Sequence, residues 1–439
     1  MRVATTADRA RADRLLWRAG FGPRPGEAGQ LATGGVPAAV EGLLRPRGRA
    51  LRGRPGRIEG APIDPINAYG HDVLWWLDRA VRARHPLVER MTLNWHDHFA
   101  TSNDGVGDTR LMLAQYWTLR RGALGPFRSL ARAITRDRAM QLFLSLANSE
   151  KGSPNENFAR ELLELFTLGV NNGYTERDVR EAARALTGFT FDYEKRRFGF
   201  DPDRHDDGVK RIMGRVGRFQ PLDVVDIAIE HRAHPAFICG KLWSYFSPRP
   251  CPPGLMRTLT RAYRRSKTDV RPVLREILTS KLFYAGLNEP DMVKPPFVYV
   301  AGMMRATGGR VDDESWAYRL EQMGQRVFHP PNVSGWEGGL TWLSTSSIRA
   351  RFYAATTLLD TTIADGSISV KQTPVQALAS ARAATGDPRV GARTARALRR
   401  YAATSVAGRT DAREVKHYYP ERQRVLRHLL LAGPDAQVC

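Results

Sequence analysis

Histidines, carboxylates or glycine-flanked tryptophans gather in four short segments of this 439-residue chain, and these are the residues able to do chemistry. The first segment is Trp95-His96-Asp97-His98-Phe99. Imidazole binds metals, and its ordinary pKa lies closest to neutrality, so the pair suits a metal centre or proton transfer. On a helix, Val88, Met91, Trp95 and Phe99 form one stripe. His96 and His98 then fall to either side of it and diverge, while Asp97 points away. A helix ending near His96 would let the two rings converge. The competing reading is two hydrogen-bonded histidines at the rim of a buried face.

The second segment runs from Ser149 to Phe166. Ser153 with Glu156 three residues on reads as a capping box, with Pro154 at the first helical position. Asn157, Glu161, Glu164 and Leu168 then share a row beside the apolar stripe of Phe158, Leu162, Leu165 and Phe166. Two carboxylates three residues apart can chelate a cation or share a proton, and Glu161 and Glu164 join His96 and His98 as candidate metal ligands. Ordinary ion pairing, Arg160 with Glu164, is the plainer account.

The third segment, Asp201 to Lys210, crowds His205, Asp206 and Asp207 into a loop. It is no EF-hand, because Ile212 stands where that loop needs its twelfth-position Glu. His205, Asp206 and Lys210 are the candidate catalytic groups, with Asp207 or Lys210 as a supporting acid or base. A solvated turn explains the same residues. The fourth segment, Pro330 to Trp342, sets glycines beside Trp336 and Trp342. Backbone can approach a ligand there and an indole can cover it, which makes Asn332 and Trp336 candidate cofactor contacts. Rigid turn packing is the alternative. The chain has neither a Walker loop nor a dinucleotide fingerprint, and no GxSxG or HExxH.

The elements that must position these groups are helical almost throughout. Apolar residues recur at helical spacing from Ala7 to Ala19, through Val73–Val81, and from Pro86 through Phe99. Further helices are expected at Asp108–Arg121, Pro126–Thr135, Val179–Leu186, Asp223–Glu230, Pro235–Phe246, Leu255–Arg265, Arg271–Ser280, Pro296–Thr307 and Ile348–Asp360. Thr175 to Asp178 forms a capping box for one of them. A short hairpin is expected within residues 189–219, from Phe189–Phe200 and Arg215–Phe219. A loop rich in Arg, Gly and Pro covers 45–66, and a looser helical extension about 361–415. The expected fold class is all-α, one large domain over residues 1–439.

Composition bounds the rest. With 42% apolar residues the chain builds a core, and no apolar run is long enough to span a membrane. The charge of +22 comes from 67 Lys and Arg against 45 Asp and Glu, but only nine of the 67 are Lys. An Arg bias of this kind follows from GC-rich codons, and the excess is spread along the chain, so nucleic acid is not the expected main ligand. Arg45, Arg47, Arg49, Arg52, Arg54 and Arg57 form the one tight cluster, expected to be mobile, exposed and able to hold polyanions weakly. Three cysteines make no disulfide framework, and the opening residues lack an apolar signal region. A cytoplasmic protein is expected.

Several longer stretches resemble one family. They are Leu15-Leu16-Trp17-Arg18-Ala19-Gly20-Phe21-Gly22, Glu89 through Phe99, Lys151 through Leu162, Ala182 through Gly188, His205 through Lys210, and Pro330 through Trp336. Together they are similar to the bacterial "domain of unknown function 1800" family over nearly the whole chain. Many relatives look exported. His329 departs from the family pattern. The resemblance implies no reaction, substrate or cofactor. From the residues themselves, two functional expectations stand. One is a metal-assisted hydrolase or oxidoreductase using Zn, Fe or Mn. The other is a non-catalytic binding or assembly protein, whose polar motifs are a buried structural network.

Overall fold

The computed structural model describes residues 4–192, 194, 197–362 and 372–439. Among them the fold is predominantly α-helical, with three two-stranded antiparallel sheets and a few isolated β-bridges. Contacts divide the chain into two compact units. One comprises Met1–Leu87, Thr279–Val327 and Glu337–Cys439; the other comprises Val88–Leu278 and Phe328–Trp336.

The first unit is organised on the helix Pro296–Thr307. Every residue from Pro296 to Ala306 is buried. Its sequence, apolar on all sides, has no face to give to water, so it becomes a centre that other helices cover. The Thr6–Arg18 helix opens as its composition dictates, with Thr5 and Asp8 completing a reciprocal capping box. The unit also answers where some of the Arg excess goes. Arg305 is buried and donates to the carbonyls of Gly22 and Ala83 at 3.0 and 3.1 Å. Buried Arg14 serves the carbonyls of Phe283, Ala285 and Gly286, and buried Arg351 that of Lys294. Guanidinium groups thus close orphan carbonyls inside the protein, a task suited to their fan of donors.

Residues 361–415 include the helices Pro374–Ala384 and Ala392–Thr404 and the start of Ala412–Ala432; residues 363–371 lie outside the described residues. Pro374–Ala384 and Ala392–Thr404 pack against Ala412–Ala432 around Ala377, Ala381, Leu398, Ala402, Leu426 and Leu430. Three of these six are alanine, so the helices make a core with few large side chains. The Arg-rich loop is exposed at all six arginines. Its backbone, expected to be mobile, is instead anchored. Leu51 bridges to Ala83, and the Gly56 N–H donates to the buried Asp78 carboxylate at 2.8 Å.

In the second unit the expected helices appear with ends shifted by up to three residues. Three expectations change. The hairpin near 189–219 is two hairpins: Phe189–Asp192 pairs with Arg197–Phe200, and Arg215–Gly217 pairs with Lys210–Ile212. The Ser153 capping box does not form. The helix starts later, at Asn157, whose N–H is taken by the Asn155 side chain at 2.9 Å. After Glu161 the winding changes to a π-helix, Leu162–Leu168. The row of Asn157, Glu161, Glu164 and Leu168 assumed a pitch of 3.6 residues, and the wider π turn breaks it.

Candidate functional site

The helix Pro86–His98 presents the first motif to the turn that contains the fourth. His96 is buried, and its Nε2 accepts the Phe328 N–H at 3.0 Å. Its ring packs 5.5 Å from that of Trp336. An imidazole nitrogen that accepts is unprotonated, so His96 is neutral. Burial, with the neighbouring His329 adding to it, lowers its pKa to about 3. His329 itself meets Asp104 at 2.8 Å. Asp97, far from pointing into solvent, accepts the Trp336 N–H at 2.9 Å. Burial raises its carboxyl to about 6, against the pull of that N–H and of Lys241. Gly335 makes the approach possible. Its φ is +84°, and a Cβ there would stand 2.3 Å from an Asp97 oxygen, so no other residue type fits this turn.

His98 sits in an aromatic box, edge-on to Trp95, Phe99 and Phe127, and contacts Phe166. Its Nε2–H donates to the Phe166 carbonyl at 3.1 Å. His234 does the same for the next residue, giving Nδ1–H to the Thr167 carbonyl at 2.8 Å while Nε2 accepts from the Tyr263 hydroxyl at 2.8 Å. The Asn172 side chain takes the Leu168 carbonyl at 2.7 Å. Here lies the physical role of the two histidines. A helix leaves its last carbonyls unsatisfied, and this π-helix ends in the interior, where water cannot serve them. Two neutral imidazoles and an amide do so. Burial holds the pKa of His98 well below the ordinary value and that of His234 at about 4.

The third motif clamps a helix to its loop. Asp206 takes a two-pronged ion pair from Arg184, at 2.7 and 3.2 Å, on the helix Glu176–Ala185. Lys210, its side chain fully buried, donates to the carbonyls of Asp206, Gly208 and Phe219. His205 gives Nδ1–H to the Thr187 carbonyl at 2.9 Å. Its Nε2 is buried with no hydrogen-bond partner. Asp207 meets Lys151 at the surface, 3.2 Å away.

A family model described as "Protein of unknown function (DUF1800)" matches residues 14–438. The chain belongs to this family. No curated protein and no solved structure matches it. For a DUF1800 member, then, function must be read from the arrangement of its own motifs. Among the described residues no helix is long and apolar enough to cross a membrane.

The DUF1800 motifs come together in pairs and do not converge on one ion. His96 and Asp97 meet the Pro330–Trp336 turn, His98 meets the π-helix, and His205 through Lys210 meet the Glu176–Ala185 helix and the residues after it. Among the described residues no group of three or more His, Cys, Asp or Glu side chains is placed to hold a metal. Glu164 pairs with Arg160 at 3.4 Å. Glu161, half-buried, has no hydrogen-bond partner among the described residues, and burial, followed by the charge of Glu164, raises its pKa. Asn332 is exposed and turns its side chain back to the Ser334 N–H at 2.8 Å. Sequence reasoning missed His234 and Lys241 because both lie on the helix His234–Phe246, with no polar motif around them. It undervalued Asp97, whose partner is 239 residues away.

Proposed function

We propose that this DUF1800 chain is a non-catalytic binding or assembly protein, with its polar motifs serving as the framework that holds loops and helix ends in place. One observation supports this reading above the others: the motif side chains are spent on backbone groups. His96 takes an amide, His98 a helix-end carbonyl, and Lys210 three loop carbonyls. A partner would meet the exposed surfaces, among them the six arginines from Arg45 to Arg57 and Leu340, which is 79% exposed. Its cysteines are all free, which supports a reducing compartment such as the cytoplasm.

A second reading, a metal-assisted hydrolase or oxidoreductase, draws support from His205. A buried, unpartnered imidazole nitrogen is a site where a ligand or proton could be held, with Asp206 and Lys210 beside it. Protein purified without a polyhistidine tag separates the two. The framework reading expects no stoichiometric metal by elemental analysis and no thermal shift with Zn, Fe or Mn. It also expects His96→Ala to cost about 3 kcal/mol, from a cavity and an orphaned amide. Glu161→Ala, which removes no hydrogen bond, should leave stability within about 0.5 kcal/mol. Stoichiometric metal that is lost in His205→Phe would overturn the framework reading.

A further inference from the structure

The unit built from Met1–Leu87, Thr279–Val327 and Glu337–Cys439 contains a cavity of about 430 Å³ that none of the four polar motifs lines. Pockets for small organic molecules span roughly 300–1,000 Å³. Trp17, from the family-like stretch Leu15–Gly22, forms one wall. Its indole lies against the central helix at Gly302, where an added Cβ would stand 2.3 Å from the ring. The Lys294 ammonium sits 3.7 Å from the centre of that ring. It is buried, and of its three N–H groups one is taken by the Ala436 carbonyl at 2.8 Å.

Asp13 stands one helical turn before Trp17 and lines the same cavity. Among the described residues its carboxyl has no hydrogen-bond or ion-pair partner, and it is not within ion-pairing reach of Lys294. Burial raises its pKa, opposed first by the charge of Lys294 and then by that of Arg389. Burial brings Lys294 down to about 8, opposed first by the charge of Cys439 and then by that of Asp13. Arg389, exposed, belongs to the lining as well. The other charges there are already engaged. Arg14 is turned onto three carbonyls, Asp435 accepts the Gly391 N–H at 2.9 Å, and Cys439 accepts from Arg18 at 2.7 Å. The lining also has apolar members, Met303 and Leu430 among them.

An anion alone would leave Asp13 shielded from water and unmatched, and a cation alone would do the same to Lys294; either costs the desolvation of the other charge. A ligand carrying both charges satisfies both. We propose that this cavity binds a small zwitterion of the free amino-acid or dipeptide class with an apolar side chain. Its ammonium would lie on Asp13, its carboxylate on Lys294 and Arg389, and its hydrocarbon part against Trp17, Met303 and Leu430. The proposal goes beyond the framework reading and uses none of its residues, so each can fail without the other.

Calorimetric titration of the full chain with L-phenylalanine and L-leucyl-L-phenylalanine tests it. At least one of the two should bind. N-acetyl-L-phenylalanine and L-phenylalaninamide, which each lack one charge, should bind about tenfold more weakly or not at all, the loss of one charged hydrogen bond. Asp13→Asn, nearly isosteric, should weaken the zwitterion about tenfold and bind the N-acetyl form at least as well as the unaltered chain does, because no carboxylate is then left unmatched. Silence from both zwitterions at millimolar concentration overturns the proposal. Blocked derivatives that bind as well as the parents, or a folded Asp13→Asn chain with unaltered affinity, do so equally. Should that variant not fold, the blocked derivatives on the unaltered chain decide the matter.

Discussion

His96, His98 and His234 are buried and neutral because their ring nitrogens serve backbone groups or a tyrosine hydroxyl, and neutrality ties folding to pH. An unfolded histidine protonates near 6.5, whereas folded His234 does so near 4 and folded His96 near 3. The stability they contribute is full above pH 6.5 and is lost as pH falls from there through the folded values, because the unfolded chain takes up the protons first. Asp97 and Asp137 act in the opposite sense. Burial raises both to about 6, so each favours the folded state at low pH and loses that advantage as pH rises from 3.8 to 6. With three histidines against two carboxyls, urea denaturation should show net stability falling from pH 7.5 to pH 5. His234→Gln keeps an amide donor for Thr167. It should cost about 1–2 kcal/mol at pH 7.5 and make the acid limb shallower. An unchanged acid limb would mean that His234 titrates normally in the folded protein.

At the scale of elements, two helices show how a packing constraint becomes a sequence requirement. The π-helix Leu162–Leu168 ends in carbonyls that need His98, His234 and Asn172, so one irregular segment dictates polar residues on three other stretches of chain. The Pro296–Thr307 helix, buried on all sides, must admit the Trp17 ring at Gly302. Adding one methyl there forces the indole or the helix to move. Gly302→Ala should therefore destabilise the chain by about 2–3 kcal/mol, toward the upper end of overpacking costs, read as a lower urea midpoint. Trp17→Leu combined with Gly302→Ala should recover part of that loss, because neighbouring changes of this kind do not add. Full additivity of the two costs would show that the ring and the glycine do not meet.

For the molecule as a whole, a formal charge of +22 invites a nucleic-acid reading, and burial tempers it. Arg14, Arg18, Arg90, Arg305, Arg351 and Arg422 are all buried, so part of the excess never faces a polyanion. The exposed group from Arg45 to Arg57 remains. It should hold heparin or DNA at low salt through counterion release, and release both by about physiological ionic strength. Because Leu51 and Gly56 anchor this segment, changing its six arginines to glutamine is the sound test, and deletion is not. The altered chain should elute earlier from heparin at low salt and melt within about 1 °C of the parent. Retention that persists at high salt would make nucleic acid a specific ligand.

Helix positions, the all-α class and the family motifs were legible from the sequence, because apolar periodicity and capping residues act within a few positions of one another. Thr175 with Asp178 closes its capping box as read, and Pro296–Thr307 begins and ends where its pattern says. The motif segments were equally legible as places of polar crowding. What each polar group does was decided by tertiary structure. Asp97 meets a turn 239 residues away, and His98 caps a helix end 68 residues on. Spacing within a segment carries no record of such partners. Nor does it reveal the switch from α to π winding after Glu161. Asp13 and Lys294, 281 positions apart and free of any motif, face one cavity only because the chain folds Trp17 against Gly302. Local rules act through the backbone, and the desolvation of a side chain depends on whatever the fold brings beside it.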